Sequence, residues 1–188
     1  SAGLDEILAG VIPAWGGTTR LLARRAANTS LGKGPGAVAN HVFETIAWAK
    51  RSRSARYAQE YGYLDTNDTI VMNAEQVLSK AASKARYLMD GYTPPVPEPL
   101  YLAGPSGQRA IMNFVVGNAE AGRASRHDVL VCDAVATVVT GGATDPLVPI
   151  SEDDVRKLER ECCMTLLQTP ETLARLKQMA ETGRPLRN

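Results

Sequence analysis

The chain has 188 residues, 44% of them apolar, with 21 Lys+Arg against 20 Asp+Glu, a composition that excludes disordered and fibrous proteins and fits one globular domain. A formal net charge of +1 supplies no global field for nucleic acid, and no apolar run nears the roughly 18 residues of a bilayer span. Cys132, Cys162 and Cys163 lack a Cys-x-x-Cys spacing, which points to buried or half-buried thiols and away from disulfides and zinc. The expected setting is the cytosol, with no nucleic-acid, membrane or metal partner.

The chain opens on Ser1-Ala2-Gly3, lacks an initiator Met and enters structured-looking sequence at once, which suggests a piece of a longer polypeptide. Residues 4 to 21 read Leu-Asp-Glu-Ile-Leu-Ala-Gly-Val-Ile-Pro-Ala-Trp-Gly-Gly-Thr-Thr-Arg-Leu. An acid precedes an apolar turn. The Gly16-Gly17 pair then lets backbone approach a ligand, and Thr18 or Thr19 caps a helix whose N-terminus favours anions or a polarised carbonyl. Taken alone, the motif reads first as a tight loop with a solvated carboxylate, since short glycine motifs are weak signals.

Periodicity predicts helices over 17–27, 37–51 and 53–61, with a break at Gly32-Lys33-Gly34-Pro35-Gly36. Thr69-Ile70-Val71-Met72 reads as a strand whose backbone needs a partner that this chain does not clearly supply. Asn73 then caps a helix over 74–89, with Val77, Leu78, Ala81, Ala85, Leu88 and Met89 expected to face inward. The proline-dense stretch 93–99 is the predicted boundary between residues 1–93 and a helical extension, 94–188.

Within that extension a helix is predicted over 106–121. Over 126–140, Val129, Val131, Val135, Val138 and Val139 favour a strand and the Ser125 to Asp128 capping spacing favours a helix; helix is the reading adopted. Ser151 and Asp154 open a helix over 151–168 with Val155, Leu158, Cys162 and Leu166 on one face. Thr169-Pro170 starts the last helix, with Leu173, Leu176 and Ala180 as its buried stripe and Gly183 at its end. The expected fold is mainly α, with seven or eight helices and at most one or two short strands.

The other candidate sites are weak. His41 and His127 have no His or Cys at ligand spacing and read as capping or surface residues. Gly32-Lys33-Gly34 lacks the Gly-Lys-Ser/Thr ending of a phosphate-binding loop. Lys50, Arg51, Arg53 and Arg56 read as a solvated helix surface in preference to a phosphate site.

Glu6-Ile7-Leu8-Ala9-Gly10-Val11-Ile12-Pro13, followed by Gly16-Gly17-Thr18-Thr19-Arg20-Leu21, resembles the crotonase (enoyl-CoA hydratase/isomerase) superfamily. The stretch matches the run from that family's second catalytic glutamate into the following helix. Residues 47–50, 61–64 and 69–73 are similar to its later helix, turn and closing strand. The final Thr182-Gly183-Arg184-Pro185-Leu186-Arg187-Asn188 is similar to the C-terminus of the bacterial multifunctional 3-hydroxyacyl-CoA dehydrogenases. The resemblance covers nearly the whole chain. It implies water addition across the 2,3 double bond of an acyl-CoA thioester by two carboxylates and an oxyanion hole. By resemblance, Glu6 is one acid/base, and Trp15, Gly16 and Gly17 border the substrate. The other glutamate and the oxyanion donors lie upstream in the family, so this chain alone is expected to be inactive, with the upstream part of a parent polypeptide as its partner. NAD is expected only in the dehydrogenase part of such a parent, and no cofactor in this chain.

Two departures from the family stand out. Trp15 replaces a small residue and either narrows an acyl pocket or packs as core. Asp5 stands beside Glu6, and alternation in a strand would let only one face the site; the four-residue spacing to Gly10 favours Glu6. The rival reading is a helical scaffold or interaction domain without catalysis. An apolar face left uncovered by missing chain would also promote assembly into homo-oligomers.

Overall fold

The computed structural model describes residues 1–28, 32 and 34–188, so Lys33, part of the expected glycine loop, lies outside the described residues. Eight α-helices appear among them: α1 Gly17–Ala27, α2 Pro35–Ala47, α3 Ala55–Glu60, α4 Val77–Met89, α5 Gly104–Glu120, α6 Arg126–Thr140, α7 Glu152–Leu167 and α8 Pro170–Thr182. Short 3-10 turns cover Glu6–Ala9 and Ala74–Gln76. The fold is mainly α.

The ambiguous valine-rich segment is a helix, and its cap shows why. Ser125 Oγ accepts from the Asp128 N–H at 3.0 Å while the Asp128 carboxylate accepts from the Ser125 N–H at 2.8 Å, closing a capping box. With its entry fixed, α6 buries Val131, Val135, Ala136, Val138 and Val139 and packs against α1, α2, α5 and α7. It is the axle of the core. Leu21 and Leu22 of α1, Val42 and Ile46 of α2, and Val155 and Leu166 of α7 close around it. Elements on both sides of the proline-dense connector thus share one core. The connector's far end is held where Leu100 and Ile150 exchange antiparallel backbone hydrogen bonds of 2.9 and 2.8 Å.

Several expectations need correction. Residues 69 to 72 form no strand, because among the described residues no second strand offers its backbone groups a ladder. The helix predicted over 37–51 stops at Ala47, where Ala49 takes a positive φ of 45° and the chain turns. The helix expected over 53–61 is the six-residue α3, which Ser54 caps through the Tyr57 N–H. The expected inward face of α4 is exposed. None of its residues is buried, because hydrophobic periodicity reports an apolar stripe and not the neighbour that would cover it. On α8 the buried residues are Thr172 and Arg175, while Leu173 and Ala180 are exposed and Leu176 is half-buried. No helix of the described residues is long and apolar enough to cross a membrane.

Candidate functional site

Asp5 and Glu6 do not alternate along a strand; Glu6 opens the 3-10 turn Glu6–Ala9 and Asp5 precedes it. The turn still separates them. Asp5 forms an ion pair with Arg51, whereas the Glu6 carboxylate is exposed and makes no hydrogen bond or ion pair among the described residues. Near Glu6 lie the Cys163 thiol and the Tyr63 phenol. Burial raises both above their ordinary values; a hydrogen bond with the Ile12 backbone at Cys163 and with the Leu4 backbone at Tyr63 opposes it, and the smaller effect of nearby charge, Glu6 at Cys163 and Asp5 then Glu6 at Tyr63, adds to it.

The turn ends on Gly10 at φ 78°, which reaches the left-handed region that glycine tolerates. A Cβ there would lie 2.9 Å from Arg175 Cδ, 3.3 Å from Thr172 Oγ1 and 3.4 Å from His127 Nε2. Thr172 Oγ1 donates to the Gly10 carbonyl at 2.8 Å, and His127 Nε2 stands 2.9 Å from the same hydroxyl. His127 is therefore buried and bonded to Thr172, in place of the expected capping or surface role. Burial, then the Arg175 charge, pushes its imidazole below the ordinary value. Arg175 in turn pairs with Asp128 at 2.8 Å and donates Nε to the Asn188 side chain at 2.7 Å, tying down the chain's last residue.

The second half of the motif differs from expectation in its cap. The N-cap of α1 is Gly16 at φ 82°, and neither Thr18 nor Thr19 caps it. Glu159 of α7, completely buried, does so. Its Oε2 accepts from the Gly16 N–H at 2.8 Å, and its Oε1 accepts from the Thr19 N–H at 2.6 Å and the Thr19 hydroxyl at 2.8 Å. The anion that this helix end favours is thus part of the chain itself. Gly17 is small because a Cβ would lie 2.9 Å from Leu4 Cδ2. Trp15 is fully exposed, which excludes its packing as core. Sequence reasoning missed Glu159, and the signal was present: an acid within the apolar stripe of α7, between Val155 and Cys162.

Beside the turn, Ile7 and Leu8 line an apolar cavity of about 500 Å³ together with Phe43, Trp48, Phe114, Val131 and the tail residues Pro185 and Leu186. That volume lies in the range of small-molecule sites. The remaining candidates are structural or solvated. His41 is half-buried with Nε2 unpartnered, Lys50 pairs with Glu44 at 3.6 Å, and Arg53 and Arg56 are exposed. No group of three or more His, Cys, Asp or Glu among the described residues is placed to hold a metal ion.

The chain is similar, at 33% identity over 187 residues, to the "Probable 3-hydroxyacyl-CoA dehydrogenase" of Bacillus subtilis (strain 168). The match takes in 99% of this chain and 23% of that protein, so the chain spans about a quarter of its relative. No protein-family profile matches the chain, and no solved structure matches it.

Proposed function

We propose that this chain is the later part of a crotonase-type, enoyl-CoA hydratase-like module within a 3-hydroxyacyl-CoA dehydrogenase polypeptide of fatty-acid oxidation, and that Glu6 is one of its two acid/base groups. The observation that carries the reading is the division of labour between neighbouring acids: Arg51 occupies Asp5, and Glu6 stands free at the head of its turn. The end-to-end similarity to a probable 3-hydroxyacyl-CoA dehydrogenase supports the same reading.

In this reading an acyl-CoA thioester takes up water: the oxygen bonds to C3, a proton reaches C2, and the 2,3 π bond is consumed. Glu6 moves a proton, since an unpaired, solvated carboxylate can accept or donate one without breaking a structural contact. Trp15 offers an exposed aromatic face next to the turn, and Gly16 and Gly17 shape the backbone that borders the substrate. The partner carboxylate and the oxyanion donors belong to residues outside this sequence, so the 188-residue chain alone is inactive. NAD belongs to the dehydrogenase part of such a polypeptide, where it would accept hydride from a 3-hydroxyacyl group.

The test is crotonyl-CoA hydration by the full-length parent and its Glu6→Gln variant, with acyl-CoA binding followed by calorimetry. Turnover is expected to fall by about 10²-fold or more while binding stays within a few-fold. Unchanged turnover excludes Glu6, and hydration by the isolated chain removes the need for upstream residues. The uncovered apolar stripe of α4 favours one rival, a docking domain without catalysis, which an unaffected Glu6→Gln variant would leave standing.

A further inference from the structure

The Glu6 carboxylate makes no hydrogen bond or ion pair among the described residues, so its direction depends on what holds the turn beneath it. Inside the turn, the Gly10 N–H donates to the Ile7 carbonyl at 3.0 Å and the Val11 N–H to the Glu6 carbonyl at 3.4 Å. These bonds fix the shape of the turn but not its placement on the body. On the body, the start of the turn is held by buried Ile7 and the Asp5–Arg51 ion pair, and its end by Thr172 of α8, 162 residues away in sequence, which bonds the Gly10 carbonyl with His127 of α6 behind it.

We infer that Thr172, backed by His127, is a positioning residue for Glu6, holding the Gly10 carbonyl so that the turn presents its carboxylate in one orientation. The inference rests on the reading of Glu6 given above. Its chemistry is constrained by proton counting. A threonine hydroxyl has one proton, and the Gly10 carbonyl has none, so Thr172 donates to Gly10 and must accept from His127. The imidazole therefore carries its proton on Nε2, an assignment that follows from the network. Both Thr172 and His127 are buried, and a side chain at Gly10 would crowd them and, most closely, Arg175, besides needing a positive φ. A relay with each partner fixed by packing has the rigidity that positioning needs.

The experiment uses the full-length parent and compares crotonyl-CoA hydration by the wild type, Thr172→Val, Thr172→Ser and Glu6→Gln. Valine keeps the volume and removes the hydroxyl. Its kcat is expected to fall about tenfold with KM within about twofold, since misplacing a reacting group by about 1 Å can cost about 10²-fold and a smaller shift correspondingly less. Serine restores the hydroxyl and is expected to recover kcat to within about twofold. A Thr172→Val enzyme that melts earlier yet keeps wild-type kcat, beside an inactive Glu6→Gln, overturns the inference and leaves the reading of Glu6 intact. A parent with no hydration, or one in which Glu6→Gln is fully active, overturns both. If valine prevents folding, His127→Leu carries the same test, because it removes the donor behind Thr172 and leaves the threonine in place.

Discussion

The Gly16 N–H donates to Glu159 Oε2 at 2.8 Å across 143 residues of sequence, joining the start of α1 to the middle of α7. A second oxygen of the same carboxylate takes two donors from Thr19. Glutamine at this position would keep one accepting oxygen and turn an amide N–H₂ toward a donor. Hydrogen bonds to a charged group are worth about 1.5–3 kcal/mol each, and a buried donor left unpaired costs about 1–3 kcal/mol. Glu159→Gln is therefore expected to lose about 2–4 kcal/mol in urea unfolding of the 188-residue chain, with the m-value unchanged. A loss below about 0.5 kcal/mol would mean that the cap is replaceable by water.

The start of α6, where His127 and Asp128 meet the buried face of α8, makes stability depend on acid. Burial alone would raise the Asp128 carboxyl, but hydrogen bonds from the Ser125 backbone and the Arg175 guanidinium outweigh it and hold the group below its usual range. His127 is depressed by burial and by Arg175. Both shifts have the same sign in the linkage relation. Each contributes stability that is complete above its unfolded pKa, near 6.5 for His127 and 3.8 for Asp128, and that is lost as pH falls through the folded value. Urea midpoints are thus expected to decline from pH 7.5 to pH 5, and His127→Gln is expected to flatten part of that decline. The half-buried His41, depressed by burial and Arg25, supplies the remainder. An identical slope in His127→Gln and the wild type would contradict the burial of a neutral imidazole.

Helices were legible wherever a cap and a stripe coincided. The Ser125 to Asp128 spacing outweighed five valines over 126–140, because a capping box is a local device whose partners stand three residues apart. What sequence could not supply was the identity of the neighbour. The stripe of α4 is apolar and uncovered, while Leu173 on α8 is exposed because Thr172 and Arg175 face the turn that ends at Gly10. At the site, the ordering of Glu6, Gly10 and Gly16-Gly17 was readable from one short stretch. The partners of that stretch, Glu159, His127 and Thr172, lie more than a hundred residues away, and no spacing rule connects them. The free state of Glu6 likewise depended on Arg51 taking Asp5, a pairing across 46 residues.

Cys132 lines the apolar cavity and its thiol is pushed up to about 11, by burial first and then by the Asp128 charge, with Arg175 opposing. At pH 8 about one molecule in a thousand then carries the thiolate, against about one in four for an unperturbed thiol near 8.5. Alkylation by iodoacetamide at that pH is expected to be at least about 100-fold slower at Cys132 than for free cysteine, read by peptide mass spectrometry. Cys162 and Cys163 are raised as well, chiefly by burial, and are expected to label slowly. Labelling of Cys132 at the rate of free cysteine would show that the cavity wall opens.

Helix α4 tests how far the shared core extends. Its 13 residues include Val77, Leu78, Leu88 and Met89, all exposed, and among the described residues its one side-chain bond outside its own neighbourhood runs from Lys84 Nζ to Thr69 Oγ1 at 2.6 Å. Isolated helices shorter than about 12–15 residues are marginal in water, because nucleation is costly and most helical stability comes from packing. In the isolated chain α4 therefore opens more easily than α6 or α7, whose apolar faces are buried. Limited trypsin digestion is expected to cut first at Lys80, Lys84 or Arg86, and deletion of residues 74–92 is expected to leave the thermal midpoint within about 2 °C. In a longer polypeptide of the kind proposed above, the same sites are expected to be protected by the chain that covers the stripe. Early cleavage at Arg160 within α7, or a large drop in midpoint on deletion, would show that α4 belongs to the core after all.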